Sequence, residues 1–458
     1  MATSITSTHR ASNTFVLKGD IIYSLDPQHL SCTPNGYLVC EDGLCTGVFT
    51  ANQLPSRFAS ANQLPSRFAT AGPALNTPLH DFTGHLIIPG LVDLHTHAPQ
   101  FPNRGLGMDL ELLEWLDTYT FPQEARYANL DYARPAYQAF VADLLHGATT
   151  RAAIFATIHV PATLLLMDLL EASGLSTFVG KVNMDRNCLD SLDEKTAHSS
   201  LDATQHWLRA VAQRGFKRTG PILTPRFVPT CSNALLTGLG QLQREWNVPV
   251  QSHLSENPAE ITWVHQLCPD VTTYADAYLQ AGLLGGPSCP TIMAHCVYSH
   301  PSETPLLKQR GVWIAHCPIS NTCMSNGIAP ARTYLEQDLH MGLGTDVSGG
   351  YSPSLFQVIA ETIKVSKLRW RLVDQDLAPL TLAEAFYLAT KGGGSFWEAA
   401  SGVQVGSFEP GYSFDAVVLE DTAPTDDHAN LVNRLERLVY ADANNQVLSK
   451  YIDGQRLF

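Results

Sequence analysis

Short apolar runs alternate with amphipathic segments through the middle of the chain. From Leu86 onward we identify eight runs that are rich in Val, Ile and Thr, and most are apolar throughout rather than alternating. This pattern is typical of strands that are buried on both faces of a parallel sheet. The eight runs are LIIPGLVDLHTH, ATTRAAIFA, TFVGKVNMD, GPILTPRF, VPVQSHLSE, TIMAHCV, GVWIAHCP and HMGLGTDVSGG.

The segments between these runs have helical spacing, as in DATQHWLRAVAQRG and NALLTGLGQLQREW. Eight strand–helix units predict an α/β fold of the (β/α)8 barrel type. The flanks differ, because residues 13–85 and 403–458 carry short strands and turn residues. We expect the two ends to pair into one small sheet domain, which divides the chain into residues 1–86, 87–402 and 403–458.

Titratable side chains stand at the predicted C-terminal ends of the barrel strands, where such barrels build their active sites. Each one has an ordinary structural explanation when taken alone. Seven at the same end of successive strands are difficult to explain by chance. They are His95, His97, Arg226, His253, His295, His316 and Asp346.

The first strand ends in a D-x-H-x-H array. Side chains alternate along a strand, so Asp93, His95 and His97 point to one face. Neutral imidazoles are good zinc ligands, and two on one face can converge on one ion. The alternative is a pair of hydrogen-bonded core histidines, but the array at the end of an apolar strand favours a metal site. Such a site needs further ligands from elsewhere in the chain.

Composition and charge exclude several classes of function. The 458 residues are 45% hydrophobic and 16% charged, and the formal net charge is −14. This charge argues against binding nucleic acid, which needs clustered Lys and Arg. We find no apolar run of 18 residues, no secretory signal and no glycine-rich phosphate motif, so we expect a cytoplasmic protein without a membrane span or a bound nucleotide. Ten scattered cysteines without a C-x-x-C pair agree with reduced thiols.

Several motifs together resemble those of a known family. PGLVDLHTHAPQ, TPRF, HLSE, MAHCV, HCPISN and GLGTDVSGG are similar to motifs of the amidohydrolase superfamily and, more narrowly, of its guanine deaminase family. The similarity runs from about Leu86 to Asp415. D-x-H-x-H marks only the superfamily, whereas the combination of HAPQ, TPRF and HLSE is much more specific.

The resemblance implies a distorted (β/α)8 TIM barrel with a small composite β-sandwich from the two chain ends. It also implies a homodimer that uses one catalytic zinc to convert guanine to xanthine and ammonia in purine catabolism. Some superfamily members hold two metals bridged by a lysine of the fourth strand, but TPRF contains no lysine. We therefore expect one zinc per chain. The expected ligands are His95, His97, His253 and Asp346.

The family's chemistry assigns further roles. Zinc lowers the pKa of bound water, and the resulting hydroxide is expected to attack C2 of guanine. Glu256, three residues after His253, is expected to move protons together with Asp346, although a glutamate in a first helical turn is also ordinary. His295 is expected to orient the hydroxide or to stabilise charge.

The base itself is expected to contact Gln100, Arg226 and Phe227. Arginine donors match the O6 and N7 acceptors of guanine. Phe227 can stack on a purine, although an aromatic residue there could equally belong to the core. The predicted binding residues also include four of the catalytic and metal-binding side chains, namely His97, His253, Glu256 and Asp346.

Some alternatives stay open at this point. The substrate could be another base, such as 8-oxoguanine or cytosine, or the barrel could be a non-catalytic assembly protein. Asp93 either holds a ligand histidine or caps a buried segment, and His316 either supports the site or only packs in the core.

The segment from Leu110 to Arg126 is expected to form a pocket wall or a lid. The decapeptide at residues 51–60 is repeated almost perfectly at 61–70, and we interpret this as a duplicated surface loop.

Overall fold

The computed structural model of the chain describes residues 14–55, 58, 77–421 and 430–458. Its strands, in chain order, are β1 (Phe15–Ser24), β2 (Leu30–Glu41), β3 (Leu44–Phe49), β4 (Leu79–Pro89), β5 (Leu91–His97), β6 (Thr149–Phe155), β7 (Ser176–Gly180), β8 (Val182–Asn183), β9 (Thr219–Pro221), β10 (Thr224–Pro225), β11 (Val250–Leu254), β12 (Thr291–His295), β13 (Trp313–His316), β14 (Met341–Leu343), β15 (Ala416–Leu419), β16 (Val447–Ile452) and β17 (Gln455–Arg456).

The α-helices lie mostly between the barrel strands. They are α1 (Leu112–Trp115), α2 (Phe121–Ala125), α3 (Leu130–His146), α4 (Val160–Ser173), α5 (Ala197–Arg214), α6 (Asn233–Trp246), α7 (Pro258–Leu267), α8 (Tyr274–Ala281), α9 (Glu303–Arg310), α10 (Pro318–Cys323), α11 (Ala331–Glu336), α12 (Leu355–Leu372), α13 (Leu382–Tyr387), α14 (Gly393–Ser401) and α15 (Leu431–Tyr440). The two helices predicted from their spacing correspond to α5 and α6.

The eight predicted strands form one parallel sheet in the order β11-β12-β13-β14-β5-β6-β7-β9. Leu223, just after β9, pairs with β11 at the other end of the sheet and so closes the barrel. Its N–H donates to the carbonyl of Pro249 and its own carbonyl accepts from Gln251, both at 2.9 Å. The (β/α)8 prediction is therefore confirmed, with an irregular fourth strand that makes the barrel distorted.

Apolar side chains fill both sides of the barrel wall. One cluster packs Val92, Leu94 and Phe178 against Phe396 and Trp397 of α14. A second, larger apolar cluster contains residues of both the strands and the surrounding helices. With both faces covered, every residue of β5, β6, β7, β11, β12, β13 and β14 is buried, as the continuous apolar runs predicted.

The two chain ends meet in a seven-stranded sheet of order β17-β16-β15-β4-β1-β2-β3. The pairing of both ends is therefore confirmed, and it depends on residues 86–89, which lie antiparallel to residues 416–419. These strands form one continuous sheet, in which the pairing of β1 is irregular near Gly19. The first predicted run spans two sheets, because β4 ends at Pro89 and β5 begins at Leu91.

Gly90 separates β4 from β5. A Cβ atom at this position would lie 2.1 Å from Oγ1 of Thr150, so only glycine fits at the junction without displacing β6.

Within the described part of the chain, no helix is both long and apolar enough to cross a membrane. Of the duplicated decapeptides, residues 51–55 and 58 of the first copy are described. Phe58 is buried against Val16, Tyr37 and Val39, while the second copy lies outside the described residues.

Candidate active site

The four predicted metal ligands lie together at the C-terminal end of the barrel. His95 and His97 end β5, His253 belongs to β11, and Asp346 follows β14. Oδ1 of Asp346 lies 3.1 Å from Nε2 of His95 and 3.3 Å from Nε2 of His97. Nε2 of His97 lies 3.2 Å from Nε2 of His95 and 3.3 Å from Nε2 of His253. All four side chains are buried.

This donor set suits a divalent metal ion. Burial lowers the pKa of all three histidines, that of His97 to about 3, so the imidazoles are neutral near pH 7. Burial alone raises the pKa of Asp346, but its contacts with His95 and His97 hold that pKa well below the ordinary value. Ligands of a tetrahedral zinc with bonds of about 2.0–2.1 Å would lie about 3.3–3.4 Å apart, close to the separations observed here. An ion at the centre would also relieve the repulsion of lone pairs that face one another.

The backbone beside the ligands fixes one imidazole. Nδ1 of His253 lies 2.6 Å from the carbonyl oxygen of Arg226, which can only accept a hydrogen bond. The proton therefore sits on Nδ1, and the lone pair of Nε2 points at the other ligands. Within the described residues, Nδ1 of His95 and of His97 has no such partner.

Asp93 caps backbone rather than a ligand imidazole. Its Oδ1 accepts from the N–H groups of His95 and Thr345, each at 3.1 Å, and its Oδ2 accepts from Oγ1 of Thr345 at 2.6 Å. These contacts tie the end of β5 to the segment that follows β14. Of the two roles left open for Asp93, the capping role is the one that the contacts support.

Glu256 and His295 lie beside the metal-ligand cluster. Nε2 of His295 is 3.5 Å from Oε2 of Glu256 and 3.8 Å from Oδ2 of Asp346. Burial, and then the nearby charge of Asp346, raises the pKa of Glu256 well above its ordinary value. Glu256 therefore carries a proton over a range of pH in which an exposed glutamate is ionised.

Two asparagines orient these groups, and the sequence analysis did not identify either. Nδ1 of His295 lies 2.9 Å from Oδ1 of Asn321, and Nδ2 of Asn326 donates to Oε1 of Glu256 at 2.7 Å. Both asparagines are fully buried. The motif HCPISN ends at Asn321, which is the one signal that could have indicated it.

A pocket opens directly on this cluster. All of the predicted base-binding residues lie on its walls. The lining consists of His97, Gln100, Leu112, Trp115, Leu116, Arg226, Phe227, His253, Glu256, His295, Ser320, Met324, Asp346 and Gly349.

Arg226 and Gln100 share a partner that the sequence analysis missed. Nη1 of Arg226 donates to Oε2 of Glu124 at 2.5 Å, and Nε2 of Gln100 donates to Oε1 of the same carboxylate at 2.8 Å. Glu124 lies in α2 within the motif FPQEAR, which resembles the family, yet nothing in that stretch distinguished this residue from a surface glutamate.

The comparisons with known proteins agree with this geometry. The amidohydrolase family matches residues 86–457. Guanine deaminase of Dictyostelium discoideum is 38% identical over 382 residues, which are 82% of this chain and 83% of that protein. Human guanine deaminase is 39% identical over 347 residues, 75% of this chain and 74% of that protein.

A solved structure is also similar over nearly the whole chain. The crystal structure of guanine deaminase from C. acetobutylicum, with bound guanine in the active site, matches with a TM-score of 0.88 and 40% identity, and the match covers 97% of this chain and 100% of that one. The chain belongs to the guanine deaminase family of amidohydrolases. The resemblance stated from the motifs is therefore confirmed.

In this member of the guanine deaminase family, the segment after β5 forms part of the pocket wall. Leu112, Trp115 and Leu116 face the pocket, and α1 continues into a π-helical turn at residues 116–120. The segment packs against Phe227 and Met324 in one apolar cluster. Phe227 thus both lines the pocket and belongs to a local core, so the two interpretations of this aromatic residue do not exclude each other.

His316 makes none of the contacts that would make it a supporting residue. It is buried, and neither ring nitrogen has a hydrogen-bond partner among the residues that the structure describes. Burial, and then the nearby His295, lowers its pKa to about 4. Of the seven strand-end residues singled out from the sequence, His316 is the one that neither lines the pocket nor belongs to the predicted ligand set.

Proposed function

We propose that the protein catalyses the hydrolytic deamination of guanine to xanthine and ammonia and that it carries one zinc ion per chain. The main observation behind this proposal is that a possible metal site and a possible base-binding pocket lie side by side. A cluster of three neutral histidines and one aspartate opens on a pocket whose wall presents Arg226 and Gln100. Membership in the guanine deaminase family, and the bound guanine in the related structure, support the same substrate.

The proposed zinc ligands are His95, His97, His253 and Asp346. A zinc ion held there would supply Lewis-acid chemistry by lowering the pKa of water to near neutrality. One ion per chain is proposed because the fourth strand, which ends in TPRF, offers no lysine to bridge a second ion.

Proton transfer is assigned to Glu256 and Asp346. Water adds through its oxygen to C2, N3 gains a proton, and the bond from C2 to the amino nitrogen breaks as ammonia leaves. Glu256 begins protonated because it is buried, so it can donate a proton to N3, and its carboxylate can then take the proton of the new C2 hydroxyl group and deliver it to the leaving amine. Asp346 accepts the proton of the attacking water, and transfer of that proton to Glu256 restores both residues. His295, within 3.8 Å of both carboxylates, stabilises the charge that moves between them.

Substrate selection is assigned to Arg226, Gln100 and Phe227. Guanidinium has donors only, so Arg226 pairs with the O6 and N7 acceptors of guanine and disfavours the amino group that adenine places at C6. Phe227 packs against the ring. The apolar wall of Leu112, Trp115 and Leu116 excludes bulk water from the reacting carbon.

The remaining parts of the proposal concern assembly and location. A homodimer is proposed from the family resemblance, and static light scattering tests it. A cytoplasmic location is proposed from the cysteines, since none of the ten, all of which lie in the described part of the chain, forms a disulfide. A role in purine catabolism is proposed from the family resemblance. We also propose that the chain is divided into residues 1–86, 87–402 and 403–458, and that the first and the last of these segments together form the terminal sheet.

Ammonia release from guanine tests the function directly. Zinc-loaded protein should release ammonia from guanine and form xanthine in equal amounts, with adenine, cytosine and 8-oxoguanine as competing substrates. Faster release from 8-oxoguanine or cytosine would assign the chain to another aminohydrolase. Protein that binds zinc yet releases no ammonia from any base would support the assembly alternative instead.

A further inference from the structure

Glu124 is a buried carboxylate to which the proposed reaction assigns no role. Its side chain is 2% exposed, and it does not line the pocket itself. Its two oxygens accept from two different pocket residues, Oε2 from Arg226 at 2.5 Å and Oε1 from Gln100 at 2.8 Å. A single carboxylate therefore contacts both of the side chains that are proposed to face the base.

The hydrogen bond to Glu124, together with one from Ser348, fixes the orientation of the Gln100 amide group. Oε1 of Gln100 accepts from the backbone N–H of Ser348 at 3.1 Å, while its Nε2 donates to Glu124. A carboxylate cannot donate and a backbone N–H cannot accept, so the flipped amide would lose both hydrogen bonds. In the fixed orientation, the second hydrogen of Nε2 is left for a ligand.

The same carboxylate makes it possible to bury the guanidinium. Arg226 is 3% exposed and lies over the ring of Phe121, 5.0 Å from its centroid. A buried charge without a partner is strongly unfavourable, and Glu124 is the partner that the described residues provide for this side chain. The hydrogen bond to Glu124 uses one of the five N–H donors of the guanidinium, so the other donors can face the pocket.

We propose that Glu124 is a positioning residue that sets the preference of the pocket for purines with a carbonyl oxygen at C6. It holds Arg226 and Gln100 so that both present N–H donors to that oxygen edge. This inference rests on the proposed function only in taking a guanine-like ring as the ligand. Glu124 touches neither the ring nor the reacting carbon, and it acts through its two partners.

A purely structural ion pair would behave differently, and the chain offers one for comparison. Arg332 and Glu384 form two hydrogen bonds of 2.7 Å each, with Glu384 almost fully buried. Neither residue lines the pocket. The variant Glu384→Gln therefore loses a buried charge pair of the same kind without any direct effect on ligand selection.

The test is direct binding, which needs no turnover. Zinc-loaded wild type, Glu124→Gln and Glu384→Gln are titrated calorimetrically with hypoxanthine, which has the C6 carbonyl and no C2 amino group, and with unsubstituted purine, which has neither. The ratio of the two Kd values should favour hypoxanthine by about 100-fold or more in the wild type, because the unsubstituted ring leaves buried donors unpaired. Glu124→Gln should reduce this ratio at least about 10-fold through loss of affinity for hypoxanthine, while the Kd for purine changes by less than about 3-fold.

A double-mutant cycle separates action through Arg226 from a general loss of stability. In the Arg226→Met background, adding Glu124→Gln should change the ratio by much less than it does in the wild type, because the charge to be positioned is gone. The double variant also removes the unpaired buried charge, so it provides a folded sample if the single variant is unstable.

The possible outcomes are distinct. An unchanged ratio in Glu124→Gln, an equal change in Glu384→Gln, or a wild type that does not prefer hypoxanthine would overturn the inference. Wild-type protein that releases no ammonia from guanine but keeps the hypoxanthine preference would contradict the proposed function and leave the positioning role of Glu124 supported.

Discussion

Nδ1 of His253 donates to the backbone carbonyl of Arg226 at 2.6 Å. The residue proposed to bind the base thus supports a proposed metal ligand through its main chain, while its side chain faces the pocket. The two functions of this position can therefore be separated by mutation, because a substitution at Arg226 changes the side chain and leaves the carbonyl in place.

The first prediction concerns Arg226. The variant Arg226→Met should lower kcat/KM for guanine at least about 100-fold, as the loss of a charged hydrogen bond of about 3 kcal/mol would. Zinc content should stay the same, because the Arg226 carbonyl still orients His253. Steady-state kinetics and metal analysis of one sample check both statements. If kcat/KM survives, Arg226 does not select the base.

That variant also leaves Glu124 without its cationic partner. Part of any loss could therefore come from a buried carboxylate with no counter-charge rather than from the missing contact with guanine. The double variant Glu124→Gln with Arg226→Met controls for this effect. If it regains wild-type kcat/KM, the loss in the single variant came from the buried carboxylate alone.

The second prediction concerns the metal. Purified protein should contain about one zinc per chain, because the four proposed ligands would form a single site and the fourth strand offers no bridging lysine. The variant His97→Ala should lose both metal and activity. Elemental analysis that finds two tightly held ions, or full activity after complete removal of metal, would contradict the one-zinc proposal.

The third prediction concerns Glu256. The variant Glu256→Gln should retain fold and zinc but lose at least about 100-fold in kcat, the usual scale of general acid–base catalysis. Glutamine keeps an oxygen for the hydrogen bond from Asn326, so the geometry is preserved while the exchangeable proton is lost. Glu303→Gln is a matched control, because Glu303 is equally buried in a hydrogen-bonded setting outside the pocket. Normal turnover by Glu256→Gln would remove this residue from the mechanism.

The fourth prediction concerns the duplicated decapeptide. Deleting residues 61–70 should leave kcat/KM unchanged, because the segment lies outside the barrel strands. The first copy already supplies Phe58 to the cluster with Val16, Tyr37 and Val39. Thermal unfolding and light scattering check the deletion variant. A large loss of solubility or a change of oligomeric state would show that the second copy is structural.

The fifth prediction concerns pH and His316. Its folded-state pKa of about 4 is below the ordinary value of about 6.5, so the unfolded chain binds more protons between these two pH values. Stability from this group is therefore fully present above about pH 6.5 and is lost as the pH falls towards 4, by up to about 3 kcal/mol.

Replacement by an uncharged residue tests this sign. His316→Leu should show a shallower fall in unfolding free energy between pH 6.5 and 4 than the wild type, because leucine cannot take up a proton when the chain unfolds. Denaturant titrations of samples with equal zinc content provide the comparison. Parallel pH profiles for the two proteins would mean that His316 titrates normally in the folded state.

The sequence by itself determined the fold class and most of the candidate site. A strand buried on both faces must be apolar along its whole length, so eight apolar runs with helical segments between them indicated the barrel. The active-site end of a barrel lies at the C-terminal ends of its strands, so seven residues, among them His95, His97, His253 and Asp346, could be grouped before any contact was known. The motifs around them carried the resemblance to the family.

Only the tertiary structure decided which groups hold those residues in place. Glu124 reaches Arg226 across 102 positions of the chain, and Asn326 reaches Glu256 across 70. A buried glutamate or asparagine has no local signature, because its role comes from a partner that folding brings near and not from its neighbours in sequence. The same holds for residues 86–89, which continue the run of β5 in sequence but pair with the C-terminal strand β15 in space.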